Sequence, residues 1–177
     1  MKQKLYLALL ICLAALFLTA CAEEEPEILI SDTITRDSLQ FEIPKGFILK
    51  EDRSTETVFY YESELHEFSK VIYEKLDNDG SFENLTAETS VHAIKEYAKE
   101  TYLAKTRPEV VFEERTEING HPAYQYIIAY NLYDAPMTHS HCYIEDGEVI
   151  HHIEYIGVEE EGYDASFALY FNEIRMD

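Results

Sequence analysis

The chain has no tryptophan and, in 177 residues, only three cysteines, six glycines, five prolines and 14 basic residues against 35 acidic ones. Each shortage excludes something. Low glycine and proline rule out a collagen-like, low-complexity or disordered body. A formal net charge of −21 gives a surface that repels phosphate backbones and anionic headgroups, so no nucleic-acid partner is expected. Cys12 and Cys21 lie in or at the end of an apolar leader, which leaves Cys142 as the single free thiol of the body. Without a cysteine pair there is no internal disulfide, and stability must come from the core. Also missing are a nucleophile elbow around any serine, a phosphate-cradling glycine loop, a CxxC pair and an HExxH helix. Carboxylate pairs are so abundant that none is informative. No catalytic residue is assigned, and the chain is expected not to be an enzyme.

What is present begins with Lys2, Lys4 and an almost unbroken apolar run from Leu5 to Leu18. A helix crossing the hydrocarbon core needs roughly 20 apolar residues, so this run has the length of a signal peptide. Ala22-Glu23-Glu24-Glu25-Pro26-Glu27 follows and offers no helix continuation. Leu18-Thr19-Ala20-Cys21 resembles the lipobox of bacterial lipoproteins. That resemblance implies cleavage before Cys21 and a diacylglyceryl group on its sulfur. Two acyl chains give stable anchoring, so the expected location is the extracytoplasmic side of a membrane. The expected organisation is a signal peptide over 1–20, an acidic tether over 21–36 and one domain over 37–177. After residue 20 the chain keeps 12 basic and 35 acidic residues, a formal charge of −23, which favours cations or a basic partner patch.

The body holds 13 of the 14 tyrosines and eight of the nine phenylalanines, ample material for a core. Phe41-Glu42-Ile43 alternates like a strand, Pro44-Lys45-Gly46 turns it into Phe47-Ile48-Leu49, and strands are expected over Thr57 to Tyr61 and Lys70 to Leu76. Asp77-Asn78-Asp79-Gly80 reads as a turn. An EF-hand alignment there would put Lys75 and Thr86 at ligand positions. From Thr86 to about Lys105 the period becomes helical, with Val91, Ile94, Ala98 and Tyr102 on one stripe. Asn119-Gly120 and Asp146-Gly147 are type I′ hairpin dipeptides and predict a meander of Val111 to Ile118, His121 to Tyr133, Thr138 to Glu145 and Glu148 to Gly157. A closing helix is expected over Tyr163 to Arg175, presenting Phe167, Tyr170, Phe171 and Ile174.

Phe41-Glu42-Ile43-Pro44-Lys45-Gly46-Phe47, the Glu117-to-Tyr124 hairpin and the Phe-rich closing helix together resemble PsbP-related domains over about residues 37–176. The resemblance implies an α+β fold, an antiparallel sheet of about six strands sandwiched by helices, and an accessory or binding role.

One cluster carries possible chemistry: His139, His141, His151 and His152 fall within fourteen residues around Asp146-Gly147. With Asp146-Gly147 as the turn, Glu145 faces Glu148, Cys142 pairs with His151, His141 with His152 and His139 with Glu154. Alternation puts His139, His141, His152 and Glu154 on one face. Cys142, Ile144, Val149, His151, Ile153 and Tyr155 take the other, the expected helix-covered core. A loop over Asp134 to Met137 would set Tyr130 beside His141 and add Tyr124 and Tyr126 to the histidine face. Two readings follow. The chain is a lipid-anchored binding module with Tyr124, Tyr126 and Tyr130 facing a protein partner. Or it handles metal, with His139, His141, His152 and Glu154 as nitrogen and oxygen ligands for zinc.

Overall fold

The computed structural model describes residues 30–64, 68–100, 106–132, 135–158 and 173–177. Their strands are β1 (Ile30–Arg36), β2 (Leu39–Pro44), β3 (Phe47–Leu49), β4 (Val58–Ser63), β5 (Lys70–Asp77), β6 (Glu109–Ile118), β7 (His121–Leu132), β8 (Ala135–Asp146), β9 (Val149–Val158) and β10 (Arg175–Met176). One helix, α1 (Ala87–Glu100), follows a 3₁₀ turn at Phe82–Asn84. The strands form two antiparallel sheets, ordered β1-β2-β10 and β3-β4-β5-β9-β8-β7-β6. The described residues thus hold ten strands where about six were expected. Among the described residues, a second sheet packs on the face where a helix was anticipated.

Two of the additions come from segments read otherwise. Ile30–Arg36, assigned to the tether, pairs with β2 through a two-residue turn with Asp37 at φ 52°. Its alternation hides among polar residues, because only one of its faces meets the core. Arg175–Met176, the expected end of the closing helix, pairs with Gln40 and Leu39 of β2. Residues 163–172 of that helix, Phe167, Tyr170 and Phe171 included, lie outside the described residues, as do the signal peptide and Cys21, while Ile174 is described and is not helical.

The small sheet covers one face of the large one. Leu39, Phe41 and Ile43 of β2, with Ile174 and Met176, pack on Val71, Tyr73, Cys142, Ile144, Ile153 and Tyr155. Phe41 stacks on Tyr73 with ring centroids 5.5 Å apart. The aliphatic face of the β8–β9 hairpin is therefore core, as its alternation predicts, but a sheet covers it. Buried His151 belongs to this face and its Nδ1 meets the Tyr73 hydroxyl at 2.9 Å.

The helix lies on the opposite face, where Phe82, Ala87, Val91 and Ile94 pack on Tyr124, Tyr126, Ile128 and Ile150. Its placement follows from the tyrosine hydroxyls. A helix N-terminus carries N–H groups without internal partners. Tyr124 accepts from the Ala87 N–H at 2.8 Å and donates to Glu113 Oε1, while Tyr126 meets the Ser90 hydroxyl at 2.8 Å. The rings bury their apolar bodies and the hydroxyls find partners in the first turn, which is how tyrosine becomes a core residue.

Hairpin geometry sets the register. Asn119 and Gly120 both have positive φ, 51° and 87°, the expected type I′ turn. At the other hairpin Asp146 pairs with Val149, so the turn residues are Gly147 and Glu148, with Gly147 at φ 62° and Glu148 at ordinary negative φ. Glycine at the first central position alone is the type II′ pattern. The pairing is accordingly displaced by two residues along β9. Cys142 faces Ile153, His141 faces Glu154, His139 faces Ile156 and Tyr143 faces His152. Because side chains alternate, a displacement of two leaves every residue on its expected face. The β7–β8 register also differs: Leu132 pairs with Ala135, so Tyr126, not Tyr130, stands opposite His141. Pro136 fits inside the strand because the β8–β9 ladder stops at Met137 and Val158, leaving Pro136 one neighbour.

Candidate functional site

The face under α1 gathers Tyr124, Tyr126 and Tyr130 from β7, His139, His141 and Tyr143 from β8, His152 and Glu154 from β9, and Glu74 from β5. All follow from strand parity once the four strands are neighbours. The aromatic rings stack in rows. Tyr126 lies on His141 with centroids 4.5 Å apart, and Tyr143 lies on His152 at 4.0 Å and 3°.

Tyr124 and Tyr126 are each only 2% exposed. The expectation that these two present a surface to a macromolecular partner is corrected on that ground, since α1 occupies the place such a partner would take, while Tyr130 is half-buried. Burial likewise pushes the hydroxyls of all three above the ordinary tyrosine value, Tyr130 to about 12.

Three of the four proposed ligands come together. Donor atoms of His139, His141 and Glu154 lie within 4.8 Å of one another. The His139 Nε2 is in direct contact with Glu154 Oε1, and the His141 Nε2 stands 3.8 Å from the same oxygen. His152 is placed differently: its Nε2 meets the His141 Nδ1 at 3.0 Å, behind the set, and its Nδ1 is 3.8 Å from Glu74 Oε2. Glu74, His152 and His141 thus form a row that ends at the His141 Nε2. Glu74 is a residue the sequence did not single out, because nothing in the order of elements shows that β5 lies beside β9.

The chemistry turns on His141, whose side chain is 4% exposed. Its Nε2 is buried and has no hydrogen-bond partner among the described residues, and neither has the His139 Nδ1. Burial, followed by the proximity of His139 and His152, holds the His141 pKa well below the ordinary histidine value, so the ring is neutral. In the tautomer that carries its proton on Nδ1, with His152 as the acceptor, the Nε2 lone pair lies 3.8 Å from the Glu154 carboxylate. For Glu154, burial acts to raise the pKa. The His139 hydrogen bond and the charges of His139, His152 and Lys70 outweigh it, leaving the carboxyl below its ordinary value and ionised. In that tautomer two acceptors stand side by side, an arrangement that a cation would complete. Atoms sharing a tetrahedral zinc ion with bonds of about 2.0–2.1 Å stand roughly 3.4 Å apart, so around an ion His141 and Glu154 would close slightly while His139 and Glu154, now in direct contact, would have to part. Two imidazoles and one carboxylate suit zinc and leave a fourth position open.

No family model matches the chain, and a comparison with curated proteins finds no match. Among solved structures, cyanobacterial PsbP (CyanoP) from Synechocystis sp. PCC 6803 is similar over 89% of this chain and 97% of its own, with a TM-score of 0.60 and 11% identity. A Pseudomonas aeruginosa protein of unknown function aligns over 80% of this chain and 89% of its own, at TM-score 0.39 and 11% identity. A Bacteroides thetaiotaomicron structure aligns over 79% of this chain and 45% of its own, at TM-score 0.43 and 6% identity. The first of these establishes a PsbP-like fold for the chain. At 11% identity it establishes the fold alone, and the other two are too distant to add to it.

Proposed function

We propose that the chain is a non-catalytic metal-binding module, held on the extracytoplasmic side of a membrane by lipid on Cys21, and that the ion is zinc on His139, His141 and Glu154. The observation that carries the metal reading is the unpartnered Nε2 of buried His141 facing Glu154. A neutral, buried imidazole with an orphaned nitrogen costs about 1–3 kcal/mol that a bound ion would return as a coordinate bond. His152 plays the supporting part, fixing the His141 tautomer as the outer partner of a metal-ligating histidine does. The acidic surface raises the local concentration of cations around the site. The anchor rests on the leader and Leu18-Thr19-Ala20-Cys21 alone. Among the described residues no helix is long and apolar enough to cross a membrane.

The test is calorimetric zinc titration of an untagged chain starting at Pro26, which keeps every described element. Saturation at one zinc per chain, abolished in His141→Ala and in Glu154→Gln, is the expected result. Weak, non-stoichiometric heat would eliminate the metal reading. For the anchor, Cys21→Ser should accumulate as unprocessed precursor without lipid label, and normal processing of that variant would refute it.

A further inference from the structure

Next to the metal set, between the second half of α1 and the end of β7, lies a cavity of about 240 Å³. Ile94 and Ala98 form its roof, Tyr130 and Leu132 its floor, and the His139 ring closes one end. Its lining is almost wholly apolar. The Thr106 hydroxyl at its edge is already committed, donating to the Asn131 carbonyl at 3.0 Å. The pocket is half open to solvent, and its walls offer few polar partners to water.

We propose that this cavity binds an uncharged, single-ring apolar molecule stacked against the faces of Tyr130 and His139. Size and chemistry argue for that class. A dry apolar cavity of about 150 Å³ accommodates benzene, so this one has room for a ring with two or three further carbons. A charged molecule would lose its hydration without gaining an ionic partner, and an anion would also meet the field of a chain at −21. Two aromatic faces at the floor and one end favour a ring over a chain, through offset or edge-to-face packing. The proposal does not rest on the metal reading, because it uses the face of the His139 ring and none of its nitrogens.

The experiment follows the methyl resonances of Ile94, Ala98 and Leu132 in the whole isotope-labelled chain in lipid nanodiscs as toluene is added. It is done once in chelator and once with zinc. Shifts that saturate at one toluene per chain in chelator are expected, with benzoate giving none at ten times the concentration. Ala93 lies at the exposed rim of the cavity, so Ala93→Phe should leave the fold intact and weaken toluene binding at least tenfold. Ala98→Leu, which fills the roof, should do the same. Shifts that rise linearly without saturating, benzoate binding as well as toluene, or undiminished binding in Ala93→Phe would each overturn the proposal. Saturable toluene binding in chelator with no zinc uptake would remove the metal reading and leave this one standing.

Discussion

The sharpest consequence of the geometry is that His152 should behave as a supporting residue and His141 as a ligand, although both are buried imidazoles on the same face. At a free zinc concentration one thousand times its dissociation constant, a site that exists only in the folded state stabilises it by about 4.1 kcal/mol. For a domain of this size each kcal/mol moves the melting temperature by about 2–4 °C, so saturating zinc should raise it by about 8–16 °C. His152→Ala removes the acceptor that holds the His141 Nδ1 proton at 3.0 Å but leaves His139, His141 and Glu154 in place. Loss of such an outer partner weakens metal affinity about 10–100-fold. At the same free zinc, stabilisation should then fall to about 1.4–2.7 kcal/mol, a shift of about 3–11 °C. His141→Ala should abolish the shift. Differential scanning calorimetry of the three proteins, each with zinc and with chelator, makes the comparison. A His152→Ala protein with no zinc response at all would show that His152 is itself a ligand. A full response in His141→Ala would dismiss the site.

Three further outcomes are expected. In chelator, stability should decline as the pH is lowered from about 7.5 toward 5. Burial lowers the pKa of both His141 and His151, so below the unfolded histidine value of about 6.5 the unfolded chain binds protons that the folded chain does not. Each such histidine adds a slope of up to about 1.4 kcal/mol per pH unit, read from urea midpoints, and a midpoint that rises on acidification would contradict the burial argument. Cys142 is fully buried and its thiol is pushed up to about 12, chiefly by desolvation, so a disulfide reagent should leave it unmodified until the chain is denatured. Phe41→Ala, which empties a fully buried site against Tyr73, should cost about 3–5 kcal/mol in denaturant unfolding, and a loss below about 1 kcal/mol would mean that the small sheet is not part of the cooperative core.

The parts of this fold that were legible in the sequence are those governed by period two. The hairpin dipeptides and the alternation of β7, β8 and β9 assign each side chain to a face, and a face survives any register displacement of an even number of residues. His139, His141, His152 and Glu154 therefore share a face even though none has the partner the turn count gave it. Which residues stand opposite one another depends on where the turn begins, and Gly147 can serve as the second residue of a type I′ turn or the first of a type II′ turn. Choosing between them takes the packing of the whole face. β1 and β10 were illegible for a different reason: each is an edge partner of β2 with little apolar pattern of its own, and only the docking of β2 on the large sheet makes them strands.

The covering of the two faces was the hardest feature to read, and it bears most on the site. An aliphatic face such as that of Cys142, Ile144 and Ile153 would be buried equally well by a helix or a sheet, because burial of apolar area has no direction. A face of tyrosines and histidines can be buried only by something that offers polar partners at set points. The first turn of α1 does so for Tyr124 and Tyr126, through the Ala87 N–H and the Ser90 hydroxyl. Those partners are spent near the helix N-terminus, and nothing comparable among the described residues reaches the His141 Nε2 or the His139 Nδ1. The same helix that buries the histidines thus leaves two of their nitrogens without partners among the described residues. Glu74, reaching His152 from β5, orients the row but does not close it. A covering that satisfies the tyrosines and leaves those imidazole nitrogens unpaired is what the proposed ion at Glu154 would complete.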